Sequence, residues 1–424
     1  MNYDVMIVGG GAAGFFTALN LAERNPSLRI AIIERGASCL EKVRISGGGR
    51  CNVTHAEFLP RPLSVNYPRG EKELLGPFNR FMTGDTMAWF EERNVPLKIE
   101  EDGRVFPTSD SSETIINCFE AEAEKYGIQI LLKHALKDLR KTSENWYLST
   151  SSGDFSAKKV VFATGSNPKI WKLLAGLGHS YTSPVPSLFT FNCKDPRISE
   201  LPGLTTNVEV QLLASGEEIV KNGRSQRVDR GGLPGPLLIT HWGFSGPAIL
   251  KLSAWGAHEL AEMGYTFKIA VNWLPEHSPE TALKHIEATK ITLARQQVST
   301  NVPFDIPKRL WQKLVAATLK DENRRWADLN KQEMLDLTDQ LTHSVFSVAG
   351  KSSFKEEFVT AGGINLQEVD FKTFGSKVHP NLYFAGEILN IDAITGGFNF
   401  QNAWTSGFVV ANAIQEHWAL ENAG

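Results

Sequence analysis

The sequence is poor in cysteine and in charge imbalance. Four cysteines occur in 424 residues (Cys39, Cys51, Cys118 and Cys193), and no two stand in a C-x-x-C pair. No disulfide framework, zinc site or redox-active pair is expected, and no metal is called for. No run of about 18 uncharged apolar residues marks a membrane span. The formal net charge is −3 and the pI about 6.4, so there is no electrostatic case for nucleic acid or an anionic membrane as partner. Internal repeats and low-complexity tracts are missing as well. The first apolar run begins almost at the first residue, which leaves no room for a signal peptide and points to a cytoplasmic protein. At 424 residues and 42% hydrophobic content the chain suits two or three domains with a large core.

What is present begins with Val5-Met6-Ile7-Val8, followed by Gly9-Gly10-Gly11-Ala12-Ala13-Gly14. A helical stretch follows, with Phe15, Ala18, Leu19 and Ala22 on one face, then the run Ile30–Ile33 ending in Glu34 and Arg35. Gly9, Gly11 and Gly14 fit G-x-G-x-x-G between a strand and a helix. The first allows a tight turn, the second lets a pyrophosphate approach the backbone, and the third lets helix and strand pack closely. Ala12 and Ala13 open the helix, whose N-terminus offers N–H groups to phosphate. Glu34 stands where an acid accepts from a ribose hydroxyl. The motif alone is weak; with strand, helix and acid in place it argues for a dinucleotide.

Lys42 and the stretch Ser46-Gly47-Gly48-Gly49-Arg50-Cys51-Asn52 suit a loop lying against a ligand. Helices are expected after Thr83 and around Ile115 to Ala123, strands over Ile128–Leu132 and Trp146–Thr150. Ala135, just past the first of these strands, is counted with the cofactor residues. Lys159 to Phe162 is a buried strand ending in Ala163-Thr164-Gly165, a second glycine turn. From about residue 187 alternation changes the character: Val208, Val210 and Leu212, then Phe267, Ile269 and Val271, indicate an antiparallel, barrel-like domain. Within it Ser245 is read as a helix cap ahead of Pro247. Residues 276–341 read as three helices, opened by Pro279, by Pro307 and by Asn330 with Glu333. Leu382-Tyr383-Phe384-Ala385-Gly386-Glu387 is again strand, glycine and acid, and Gly396-Gly397-Phe398-Asn399 opens a final apolar helix. The α/β character at both ends makes the middle an insertion: 1–186 with 359–424 as the nucleotide domain, 187–275 with 342–358 as the β domain, 276–341 as a helical subdomain.

A closing strand–glycine–acid–helix unit fits a flavin better than a plain NAD site. Glu387 suits ribityl hydroxyls. The N–H groups around Gly397, Phe398 and Asn399 suit the flavin N1 and O2, where reduction places negative charge. Together with Arg44 to Thr54, Thr240 to Pro247 and Thr360 to Gly363, these motifs resemble the YhiN/BaiN-type bacterial flavoproteins, also described as NAD(P)/FAD-dependent oxidoreductases or aminoacetone-oxidase-family FAD-binding enzymes. The resemblance runs over essentially the whole chain. It implies an α/β fold: a segmented, glutathione-reductase-like FAD domain with a β-barrel insert carrying a helical subdomain. Two departures stand out: Phe398 where the family often has Tyr, and Gly375 where it often has Glu.

The expected cofactor is non-covalent FAD. No second G-x-G-x-x-G follows a strand, so NAD(P)H is expected to dock transiently. Candidate catalytic groups are His241, as proton donor or as a backbone-bonded histidine, and Asp392, as a substrate-side group or a loop cap. Arg50 and Lys42 are candidates to anchor the pyrophosphate or to polarise the ring, with surface cations as the alternative. Cys51 is read mainly as packing, and a covalent tether at His55 is disfavoured. The expected reaction is reduction of a polarised C=C or C=O in an apolar small molecule. An oxygen-using amine or amino-ketone oxidase and a non-catalytic redox-sensing or partner-binding module are the alternatives. Substrate, nicotinamide preference and oligomeric state are not legible in the residues.

Overall fold

A computed structural model describes residues 2–213, 232–319, 321, 323–352 and 359–421. The chain divides into two compact units, Met1–Val185 with Thr360–Gly424, and Pro186–Val359.

The first unit is built on a nine-stranded sheet. Its centre is parallel: Asn2–Val8 lies between Ile30–Ile33 and Asp154–Phe162, and Leu382–Phe384 pairs with the far side of Asp154–Phe162. The register Val8↔Ile33, Val8↔Phe162 and Phe384↔Phe162 puts the carboxyl ends of all four strands on one edge. Val5, Met6, Ile7, Ile32, Val160, Val161 and Phe162 have no exposed surface, which is why these strands read as unbroken apolar runs rather than alternating ones. Trp146–Thr150 alternates in burial because it pairs antiparallel at the rim. The helix Ala12–Arg24 packs against the long helix Phe398–Glu421. They meet at Gly407, where a Cβ would stand 3.1 Å from the Ala13 carbonyl oxygen. Lys159 is fully buried and its ammonium binds the Asn381 side chain (3.0 Å) and Glu421 (2.6 Å), tying the sheet to that helix. No described helix is long and apolar enough to cross a membrane.

The second unit holds a six-stranded antiparallel sheet in the order Phe191–Asn192, Gly243–Ser245, Leu233–Ile239, Thr205–Leu213, Thr266–Asn272, Ser344–Ala349. Val208, Val210, Ile269 and Val271 point from it into one core with Trp273, Trp311 and Trp326. Helices Pro279–Thr292, Lys308–Thr318 and Lys331–Thr342 complete that core, and Asn330 with Glu333 forms a reciprocal capping box. Parts of the expected β-domain segments, 214–231 and 353–358, lie outside the described residues. Ser245 does not cap the helix Pro247–Trp255; it ends a strand, and Gly246 at φ +91° makes the turn into the helix. A Cβ at Gly246 would stand 2.8 Å from the Pro236 carbonyl oxygen, so the close strand approach selects glycine there.

Candidate functional site

The carboxyl edge of the parallel sheet gathers most of the expected cofactor residues. After Val8 the backbone turns at Gly9, with φ +115°, and its N–H bonds the Ile33 carbonyl. A side chain at Gly9 would overlap the Ala163 carbonyl, and one at Gly14 would overlap the Gly9 carbonyl. The chain's own packing therefore demands both glycines. Gly11 differs. Apart from its two chain neighbours, no atom of the described residues lies within 4 Å of where its Cβ would sit. Its backbone is extended and it precedes the helix Ala12–Arg24, so that space opens beside a helix N-terminus, as a pyrophosphate needs.

Glu34 stands beside this turn, but its carboxylate already accepts from the N–H groups of Gly10 (2.9 Å) and Gly36 (2.7 Å). It shapes the turn as well as presenting an acid. Arg35 is exposed. Ala135 donates its N–H to the Ser151 hydroxyl and its carbonyl accepts from the Ser151 N–H, so its N–H is engaged within the chain and only a second lone pair of its carbonyl could meet a nucleotide.

Lys42, Gly165 and Glu387 come from three distant segments and meet. The Lys42 ammonium binds the Glu387 carboxylate at 2.6 Å. A Cβ on Gly165 would approach that carboxylate to 3.7 Å and the ammonium to 4.0 Å. Thr164 and Gly165 follow the buried strand, and Gly386 at φ +71° lies against Ala13. The second glycine turn and the C-terminal acid thus frame one end of the same edge.

The glycine loop leaves helical geometry at Ser46 and runs through left-handed Gly47, Gly48 and Gly49 to a left-handed Cys51. Gly48 and Gly49 have open space where a Cβ would be, while Gly47 closes on the Asn52 backbone and the Phe106 ring. Arg50 is not a free anchor: its guanidinium lies 3.9 Å over the Phe106 ring and binds Glu100 at 2.6 Å, which raises its pKa. Cys51 is buried, and burial pushes its thiol up to about 12, so it serves packing rather than redox chemistry.

The entry to the last helix corrects one expectation. With its amide oriented to satisfy its neighbours, Asn52 accepts from the Gly397 N–H (2.9 Å) and donates to the Thr54 carbonyl (2.9 Å). The Gly397 donor is spent. Among the described residues no acceptor faces the N–H groups of Phe398, Asn399 and Phe400. Those three stand unused at the start of a 24-residue helix. Phe398 is buried, its ring stacked on His55 at 4.5 Å, and its carbonyl accepts from the Tyr67 hydroxyl. The Asn399 side chain brackets the N–H and carbonyl of Ala393.

The two candidate catalytic groups sit in different settings. Asp392 has no exposed surface, and Arg69 takes its carboxylate through two hydrogen bonds, which matches the loop-cap alternative rather than a solvent-facing acid. His241 is exposed at the hairpin between Leu233–Ile239 and Gly243–Ser245 in the second unit. Among the described residues its ring contact is Trp242, at 6.4 Å. Sequence reasoning passed over Arg69, Tyr67 and Asn66, which carry no motif, and weighed His55 only as a tether.

Elsewhere Ser376, His179 and Glu368 line up like a hydrolytic triad, with Ser376 Oγ 3.0 Å from His179 Nε2 and His179 Nδ1 2.9 Å from Glu368. The serine oxygen also accepts from the N–H groups of Val378 (3.0 Å) and His379 (2.8 Å). Both its lone pairs are spent, so the group is a clasp and not a nucleophile.

A model of the HI0933-like protein Rossmann domain matches residues 3–413. The chain is 27% identical over 424 residues to a ribosomal RNA dihydrouridine synthase of Haemophilus influenzae, covering 96% of this chain and 98% of that one. It is 24% identical over 422 residues to a 3-dehydro-bile acid delta(4,6)-reductase of Clostridium scindens, covering 97% and 98%. A solved 3-ketosteroid delta1-dehydrogenase from Sterolibacterium denitrificans superposes with a TM-score of 0.50 at 11% identity, covering 98% of this chain and 100% of that one, a likeness of fold alone. The open space at Gly11 and the unspent donors at Phe398 fit what FAD needs at its two ends. On the strength of a family match spanning nearly its whole length, the chain belongs to the HI0933-like Rossmann family, and with it to the FAD-dependent oxidoreductases.

Proposed function

We propose that this protein reduces a carbon–carbon double bond conjugated to a carbonyl in an apolar small molecule, with NAD(P)H as electron donor. The observation that carries this is a likeness between two relatives aligned over nearly the whole chain. One is named for making dihydrouridine in ribosomal RNA, the other for reducing the delta(4,6) bonds of a 3-dehydro-bile acid. A uracil ring and a dienone share little beyond an alkene polarised by a carbonyl. FAD held there, once reduced by the nicotinamide, would supply a hydride to the electron-poor carbon, while the carbon next to the carbonyl would take a proton. The chain's part is to hold the cofactor: space and N–H groups beside Gly11 for the pyrophosphate, Glu387 for ribityl hydroxyls, and the Phe398–Phe400 donors for the pyrimidine edge. The charge balance favours a small molecule over a polyanion, with net charge −3. A uridine in ribosomal RNA is the second reading, favoured by the name of the Haemophilus influenzae relative.

The test is anaerobic reduction of the purified yellow protein with NADH and with NADPH. A 4-en-3-one steroid or uridine-containing ribosomal RNA is then added, with the return of flavin absorbance followed. Reoxidation by the enone with slow reaction toward air supports the first reading. Reoxidation by RNA, with dihydrouridine found by mass spectrometry, supports the second. Fast reoxidation by air alone identifies an oxidase. Failure of both nicotinamides to reduce the flavin overturns the donor assignment.

A further inference from the structure

The segment 391–399, which delivers the last helix, is held almost entirely from one stretch of chain, residues 52–70. Arg69 and Asp392 form an antiparallel backbone bridge, and the Arg69 guanidinium grips the buried Asp392 carboxylate with two parallel hydrogen bonds. Gly70, at φ +95°, lies so close to Ile391 that a Cβ there would stand 2.8 Å from its side chain. The Ile394 N–H bonds the Asn66 carbonyl at 3.0 Å. His55 Nδ1 lies 3.0 Å from the Gly396 carbonyl oxygen. Asn52 takes the Gly397 N–H, and Tyr67 bonds the Phe398 carbonyl. The next three N–H groups, of Phe398, Asn399 and Phe400, are the ones left without an acceptor among the described residues.

The ion pair is the unexpected member of this set. Burying two charges costs much of what their attraction returns, and an apolar pair of similar volume often holds a loop as well. What a two-pronged arginine–carboxylate pair adds is direction: a planar fork fixes both the distance and the orientation of its partner. We propose that Arg69 and Asp392 are a positioning pair, whose role is to aim the three unspent donors at the flavin pyrimidine edge and so favour the reduced cofactor. The proposal rests on the FAD reading given above. A donor aimed at an atom that gains charge on reduction strengthens the reduced complex more than the oxidised one. Loss of aim therefore costs preference for the reduced form, while loss of fold costs both forms equally.

The experiment uses the full-length protein with Arg69→Met/Asp392→Leu, which replaces the ion pair by an apolar one, and Asp392→Asn, which removes one charge at nearly constant volume. FAD is titrated into apoprotein for the oxidised affinity. The midpoint potential is measured on loaded protein to give the reduced affinity, and thermal unfolding checks the fold. The double variant is expected to bind oxidised FAD within about threefold of wild type and to lose roughly tenfold in its preference for reduced FAD, which lowers the midpoint by about 30 mV. Asp392→Asn should move the same way and carries the test by itself if the double variant does not fold. An unchanged potential in loaded variants overturns the proposal, as does an equal loss of affinity for both forms. A wild-type protein that binds no FAD would instead overturn the cofactor reading, so the two failures are distinct.

Discussion

The two ends of the cofactor edge are built by opposite means. At the nucleotide turn, Gly14 closes on the Gly9 carbonyl within one short stretch, and Gly9 in turn closes on Ala163 at the end of the neighbouring strand, where the sheet's own register brings the two together. At the entry to the last helix, the geometry is set by side chains more than 300 residues away, Tyr67 on Phe398 and Arg69 on Asp392. The first arrangement is a local backbone pattern that survives as a motif. The second is a set of tertiary contacts that leaves almost no mark on the sequence around it.

The largest expected effect breaks the turn from within. Gly14→Val forces a side chain onto the Gly9 carbonyl and should cost about 3 kcal/mol or more of stability, read by urea unfolding. Gly11→Val should leave apoprotein stability within about 1 kcal/mol, because its space is open, yet abolish FAD loading. Equal stability losses at the two positions would show that Gly11 is also a packing glycine. A Gly11→Val protein that retains full FAD occupancy would misplace the pyrophosphate.

A smaller effect tests the other end. Phe398→Pro removes one of the three unspent donors at a position where helices tolerate proline. With helix-terminus interactions of about 0.3–2 kcal/mol and about 30 mV per 1.4 kcal/mol, the midpoint potential should fall by a few tens of millivolts. Phe398→Tyr keeps the donor and should barely move it. Spectroelectrochemical titration of FAD-loaded protein decides. Equal potentials in wild type and Phe398→Pro would show that these donors do not serve the flavin.

The smallest effect belongs to a third long-range cluster, the His179 clasp. Burial, only partly offset by Glu368, holds the His179 imidazole below its ordinary pKa of 6.5. The unfolded chain therefore takes up a proton near pH 6.5 that the folded chain refuses until lower pH. Its contribution is present above pH 6.5 and is lost as pH falls below it. In the window between pH 6.5 and 5, above ordinary carboxylate titration, urea midpoints should drop in wild type and drop less in His179→Gln. A slope unchanged by the substitution would assign the pH dependence to other groups.

These contrasts explain which parts of the molecule its sequence discloses. The parallel strands, the glycine turns and the capped helices are local: Val5–Val8, Gly9–Gly14 and Asn330 with Glu333 each carry their own physical reason. Glu34 and Arg50 were legible as chemistry but not as partners, because nothing nearby shows that Gly36 or Glu100 takes them. Asp392 shows the same limit. An acid between apolar residues and a glycine pair reads equally as a substrate-side group or a loop cap, and only the arginine brought from residue 69 shows it as a fastening.

The pairing of Lys42 with Glu387 spans 345 positions of chain. A ribosome completes the nucleotide turn early and the residues that close the other end of the cofactor edge late. On the proposed FAD reading, until Glu387 and the helix after it have emerged, the early half offers the turn for the pyrophosphate but not the donors proposed for the isoalloxazine side. Flavin retention is thus a timestamp on synthesis, and chains broken off before Leu382 should be colourless and sortable by that property alone.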